Sequence, residues 1–409
     1  MTLDNKMQRT DWAEIYLEKF SRFPLTWENI FRGPQYLDKT KKEVVDFLLV
    51  LRNEGIFISL KCQEDPVKRT GVKLTKWINK SAKDALKQLK GGIRTSETRS
   101  YWCEHPRRGK VFFQPKEIQV TQGIVLVETL EVVRLEDEFL LEFETIPISY
   151  FSVNDFLNVV DELRTIKDIQ RYLNGRKSLP QEVLSTIGLE KTIFEYYILN
   201  NGILTNIHGL SQIVREVKNN RKQINELIRI KSHMDESSYI IENISDALSK
   251  RLEGYEKRLD EETSARFDPA SNRQNYILMQ NELCDLVLDE RRKIGEKFAL
   301  IMEKVKNDKN KDSMGYQAIS LDSKPNFQYV LSASKGSERR ELIKRSEVLI
   351  RAALAEYNRE RGMIITYNHD IDNFEVVLVD KFEKTEFDVN IGKRFFSQLK
   401  IEDIPIQRV

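Results

Sequence analysis

The 409-residue sequence is poor in the residues that build covalent or metal cross-links, with three cysteines (Cys62, Cys103, Cys284) and four histidines. The cysteines are odd in number and far apart, which excludes a disulfide framework or a C-x-x-C knuckle and suits a reducing cytoplasm. His105, His208, His233 and His369 share no metal-ligand spacing, so each reads as a surface or structural residue. No run of about 18 apolar residues occurs, and the N-terminal stretch MTLDNKMQRTDWAE has no apolar core. The expectation is a chain that is not secreted and has no membrane partner. There is no G-x-x-x-x-G-K-[ST] loop and no G-x-S-x-G, which excludes P-loop nucleotide hydrolysis and a nucleophile elbow. An excess of one charge is also missing, since 66 basic residues face 64 acidic ones. Any affinity for nucleic acid must then come from local clustering.

What is present changes character along the chain. DWAEIYLEKF (Asp11 to Phe20) places Trp12, Ile15, Tyr16 and Phe20 on a helical repeat. The apolar runs EVVDFLLVL and GIFISLK, split by RNEG (Arg52 to Gly55), predict an antiparallel hairpin. KWINKSAKDALKQL (Lys76 to Leu89) predicts a helix ending at Gly91-Gly92, and GIVLVETLEVV and EFLLEFETIPISYF predict further strands. Residues 1–150 therefore read as an α/β domain with a mixed sheet. Helical periodicity takes over in residues 151–310, a helical region whose apolar stripes suit packing or self-association into a homo-oligomer. After the polar stretch NDKNKDS (Asn307 to Ser313), residues 311–409 read as a small α/β module containing FQYVL, a helix, GMIITY and FEVVLV.

One residue breaks the hairpin's apolar pattern. Lys61 occupies a position in ISLKCQ where a core residue is expected, and alternation puts Ser59, Lys61 and Gln63 on one face with Cys62 on the other. Asp46, on the preceding strand, can reach the same cleft. A strand-end lysine that extends its amine to water beside an acid accounts for the pattern without any chemistry.

An acid on one strand, a turn and then a lysine on the next strand resembles the PD-(D/E)XK nuclease superfamily. KEVVDFLLVL, GIFISLKCQ and KWINKSAKDALKQLKGGIRT together look like the N-terminal nuclease-like domain of a group of bacterial proteins. The resemblance implies a metal-dependent endonuclease using Mg²⁺ or Mn²⁺, with DNA ahead of RNA as substrate and antiviral defence as a setting. Asp46 would be the metal ligand, and Lys61 would orient the attacking water and neutralise charge on the phosphate. The family's second acid belongs at position 59, where this chain has Ser59. Glu43 or Gln63 would then complete the catalytic set, Glu43 as a second metal ligand, with Glu14 or Glu18 ranked behind them. If none of them does so, the domain is a catalytically inactive nucleic-acid-binding protein.

The flank of this motif carries the charge that the whole chain lacks. From Pro66 to Lys116 there are 14 Lys or Arg against 3 acids, in a chain of net charge +2. Lys76, Lys80, Lys83, Lys87, Lys90 and then Arg94 recur at three- and four-residue steps, one side of the predicted helix. Such a stripe suits a phosphate backbone, and Trp77, Tyr101 and Trp102 are candidate stacking surfaces. A solvated helix face and three core aromatics would leave the same pattern.

Overall fold

The computed structural model describes residues 13–18, 29–37, 42–63, 69–106, 108–136, 139–205, 207–252 and 269–396. These form an α/β protein with mixed sheets, gathered into two compact units, the first made of the described residues up to His233 with 249–252 and Cys284–Val287, the second of the rest. No helix among the described residues is long and apolar enough to cross a membrane. Of the expected opening helix, residues 13–18 are helical, while Asp11, Trp12 and Phe20 lie outside the described residues.

In the first unit the strands are β1 (Ile30–Arg32), β2 (Gln35–Tyr36), β3 (Phe47–Leu51), β4 (Glu54–Lys61), β5 (Tyr101–His105), β6 (Gly109–Phe113), β7 (Gln119–Val127), β8 (Val133–Arg134), β9 (Glu142–Phe143), β10 (Ile146–Ser152) and β11 (Thr186–Ile187). Six of them form the central sheet in the order β1-β3-β4-β7-β10-β9. β3 and β4 are the expected antiparallel hairpin, turning through Arg52 at φ 58°. β7 runs parallel to β4, and β10 parallel to β7. A parallel return needs a crossover, and here it contains helix α1 (Gly71–Ser96) and the strands β5 and β6, which form a small sheet with β2.

Side chains of β3 and β4 alternate between two cores. Leu48, Val50 and Phe57 pack under α1 with its Leu74, Ile78, Ala82, Ala85 and Leu89, spaced three and four residues apart. Phe47, Leu49, Ile56, Ile58 and Leu60 face the opposite core. That second core is closed by α2 (Val153–Leu163), α3 (Ile166–Arg176), α5 (Glu190–Leu199) and α6 (Leu210–Asn219), with the short α4 (Gln181–Leu184) between them. Helices beyond position 150 thus share a core with the sheet. Ser152 and Thr165 cap α2 and α3 by accepting from the backbone N–H groups of Asp155 and Asp168, each at 3.0 Å. α3 and α5 are joined by a buried ion pair: Glu190 accepts from Arg176 Nε at 2.8 Å, Arg176 Nη2 at 2.9 Å and the Tyr172 hydroxyl at 2.5 Å. Burial, with Glu190 adding to it, pushes the Tyr172 hydroxyl well above the ordinary phenol range.

Helices α7 (Arg221–Asp235), α8 (Tyr239–Leu252), α9 (Pro269–Cys284) and α10 (Leu288–Asn307) follow. The second unit contains the sheet β12 (Ser313–Ser320), β13 (Phe327–Lys335), β14 (Arg361–Asn368) and β15 (Asn373–Val379), in that order, with α11 (Arg339–Glu356) crossing between the parallel β13 and β14. α12 (Glu386–Phe396) packs on α11, where Arg351 reaches Asp388 through two hydrogen bonds of 3.0 and 2.9 Å.

One expectation fails for a visible reason. α1 does not stop at Gly91-Gly92 but runs on to Ser96. A Cβ on Gly92 would lie 2.5 Å from the Val44 carbonyl oxygen, so the glycine lets the helix approach the sheet rather than ending it. Nothing lies within 4 Å of the corresponding point on Gly91. Gly91→Ala should accordingly stabilise the protein by about 0.5–1 kcal/mol, and Gly92→Ala should destabilise it by about 1–3 kcal/mol. Urea denaturation of the two variants measures both; equal effects would mean that the helix ends where the glycines stand.

Candidate functional site

The β3–β4 hairpin and α1 bring four polar side chains together on the α1 side of the sheet. The register pairs Phe47 with Ile58, so Asp46, one residue before β3, comes opposite Ser59. Asp46 Oδ2 accepts from the Leu60 backbone N–H at 2.5 Å and from the Ser59 hydroxyl at 3.0 Å. Its Oδ1 accepts from Gln88 Nε2 at 2.8 Å. Gln88 lies at the edge of the buried face of α1, and its Oε1 accepts from Lys61 Nζ at 2.8 Å. The amide therefore bridges the acid and the lysine, and these two demands fix which way it points.

The arrangement answers why an amine occupies an apolar strand. Lys61 is half-buried at the end of β4, and Gln88 takes one of its three N–H groups, the other two having no partner among the described residues. Asp46 is only 5% exposed, and a buried carboxylate is tolerated because three donors satisfy it. Ser59, which takes the place of the expected second acid, has no exposed surface and acts as one of those donors. A carboxylate at 59 would put a second buried negative charge beside Asp46.

The other expected site residues lie elsewhere. Glu43 lines a cavity of about 430 Å³ together with Glu14, Glu18 and Arg32, where Arg32 and Glu18 approach to 3.6 Å. Gln63, two residues beyond Lys61 past the end of β4, is buried, and its backbone N–H donates to Glu128 Oε2 at 2.9 Å. Cys62 packs on the opposite core, as alternation predicts. Among the described residues, no group of three or more His, Cys, Asp or Glu side chains is placed to hold a metal ion.

Of the basic stripe, Lys76, Lys80, Lys83, Lys87 and Arg94 are exposed and Lys90 is half-buried. Lys83 pairs with Glu136 at 2.7 Å, and Arg94 pairs with Glu144 at 2.9 Å. Lys90 and Arg94 also lie over the Phe143 ring, 5.4 and 4.9 Å from its centre. Tyr101 is not a stacking surface: it is fully buried against Phe113, and burial carries its hydroxyl well above the ordinary range. Trp77 and Trp102 are partly exposed, faced by Arg69 and Lys110 at 5.4 Å each.

Comparison of the chain with known protein families, with curated proteins and with solved structures finds no match. The reading of the site thus rests on its geometry. Sequence reasoning missed Gln88, whose signal is faint: an amide flanking the apolar positions Ala85 and Leu89.

Asp46→Ala would strand the Leu60 N–H in the interior, while the Ser59 hydroxyl keeps Gln88 Oε1 as an acceptor at 3.1 Å, at a cost of about 1–3 kcal/mol. Ser59→Ala removes one donor and should cost about 1–2 kcal/mol. Thermal or urea unfolding would check both, and an Asp46→Ala loss under about 1 kcal/mol would show that the buried network does not form.

Proposed function

We propose that the first unit binds nucleic acid along α1 and hydrolyses a phosphodiester at the Asp46–Ser59–Lys61–Gln88 cluster. The observation that carries this reading is the bridge from Asp46 through Gln88 to Lys61, which holds an acid and a half-buried ammonium at one hairpin end. The helix that supplies Gln88 also supplies the basic stripe.

The two uncommitted N–H groups of Lys61 match the non-bridging oxygens of a phosphate. An ammonium held in place by Gln88 stabilises the negative charge that grows on the phosphorus centre, and needs no rearrangement to do so. Asp46 fixes Gln88 and through it Lys61. Its Oδ1 accepts a single hydrogen bond, leaving room for one further contact. Mg²⁺ and Mn²⁺ favour oxygen ligands, and Mg²⁺ binds through one or two carboxylates with substrate phosphates and water, so Asp46 fits as the one protein ligand. Such an ion would supply Lewis acidity at the phosphate. Lys76, Lys80 and Lys87, exposed and without an ion pair among the described residues, hold the backbone without reading sequence.

A second reading, nucleic-acid binding without cleavage, is favoured by Ser59, whose hydroxyl is directed to Asp46 where a second acid would hold metal. One set of assays separates the two. Plasmid, linear and single-stranded DNA and RNA are incubated with Mg²⁺ or Mn²⁺, alongside Lys61→Met and Asp46→Asn, which keep more of the packing than alanine. The nuclease reading expects a loss of about 10²–10³-fold in rate for Lys61→Met. Cleavage that survives both substitutions, or no cleavage of any substrate, rejects it. Both readings expect Lys76→Glu, Lys80→Glu and Lys87→Glu together to abolish salt-sensitive binding; unchanged binding would reject both.

A further inference from the structure

The parallel strands β4, β7 and β10 end side by side, and a cavity of about 450 Å³ opens beyond their carboxyl ends. Residues directly following each strand line it: Gln63 after β4, Glu128 to Glu131 after β7, and Val153 after β10. Clefts outside the carboxyl ends of parallel strands are where open α/β sheets receive ligands, and this volume is ordinary for a small-molecule site.

Three features define what would fit. At one side the cavity meets the start of α1, a helix of 26 residues, through Arg69, Thr70 and Leu74. The Thr70 side chain does not cap the helix, and Gly71, at φ 54°, has open space where a Cβ would stand. The positive end of a long helix, beside a guanidinium, attracts an anion. The second feature is independent of the helix. Gln63 is 4% exposed, and its Oε1 has no hydrogen-bond partner among the described residues. A buried carbonyl oxygen without a donor is costly, and a ligand N–H or O–H in the cavity would satisfy it. Third, Leu74, Leu130 and Val153 make part of the wall apolar, while the carboxylates of Glu128 and Glu131 disfavour a second anion there and accept from hydroxyl or amino groups.

We infer that this cavity binds one nucleoside monophosphate unit, with its phosphate at the Arg69–Thr70 end of α1 and its base or sugar donating to Gln63 Oε1. The unit is either a free mononucleotide or the phosphorylated end of a strand. The inference deepens the proposed function and rests on its nucleic-acid reading for the choice of ligand. Gln63 is two residues beyond Lys61, so a nucleotide here lies at the same sheet edge as the proposed cleavage site.

The full-length protein is titrated by calorimetry with AMP, dAMP, GMP, adenosine and inorganic phosphate. The expected result is binding of at least one nucleotide about tenfold or more tighter than adenosine or phosphate. Arg69→Ala should weaken it about tenfold, as loss of a charged hydrogen bond does, and Gln63→Leu should weaken it severalfold while leaving phosphate affinity unchanged. Oligonucleotides with and without a 5′-phosphate then compete against the bound nucleotide. Displacement only by the phosphorylated strand assigns the cavity to a strand end, and displacement by neither assigns it to a free nucleotide. Phosphate or adenosine binding as tightly as every nucleotide, or nucleotide affinity unmoved by Arg69→Ala, overturns the inference. Because Arg69 is partly exposed, that variant remains informative if Gln63→Leu fails to fold. Nucleotide binding without any cleavage would defeat only the nuclease reading, and cleavage without nucleotide binding only this inference.

Discussion

The buried carboxylate of Asp46 is the constraint on which the hairpin, helix and site all depend. An ionised acid that is 5% exposed is stable only if donors reach it from several sides. They come from β4 as the Leu60 N–H and the Ser59 hydroxyl, and from α1 as the Gln88 amide. Each donor is then fixed in turn. The strand register is held at Leu60, and α1 is fixed in rotation because Gln88 must face the sheet. The remaining end of the Gln88 amide can only accept, which is what an ammonium requires. The position of Lys61 is thus a consequence of satisfying Asp46, and the helix that closes the core also holds the lysine.

Much of this was legible because the hairpin is local. Alternation assigned Ser59 and Lys61 to one face and Cys62 to the other, and the structure keeps that assignment. Gln88 was not legible, since its role depends on how α1 rotates over the sheet, which no spacing within the helix reveals. Gly91-Gly92 misled for the opposite reason: glycine has more than one use, and only the proximity of the Val44 carbonyl distinguishes close packing from a helix stop. The change of periodicity near position 150 is real, but the helices after it close the second face of the same sheet. A pattern reports which face of an element is apolar, not what covers it.

The second unit shows the same limit more mildly. FQYVL and GMIITY lie in β13 and β14, which the sheet buries deeply enough to demand apolar or β-branched residues, while FEVVLV lies in β15, an edge strand of largely intermediate burial whose run of valine and leucine still displays a strand. β12, SMGYQAIS, was not singled out. It is an edge strand of largely intermediate burial, with no strong alternation for a sequence to display.

Charge counting needs the same correction. The surplus along Pro66 to Lys116 treats every lysine as available, yet folding commits part of the stripe to the segment between β8 and β10. Lys83 and Arg94 are paired with Glu136 and Glu144, and Lys90 lies over Phe143. Exposed pairs of this kind are worth little to stability, but each neutralises a charge that would otherwise displace a counterion from a phosphate. Among the described residues, Lys76, Lys80 and Lys87 remain without an ion pair, as does Lys61 on β4, which donates to Gln88. The field available to a nucleic acid is therefore smaller than the sequence suggests.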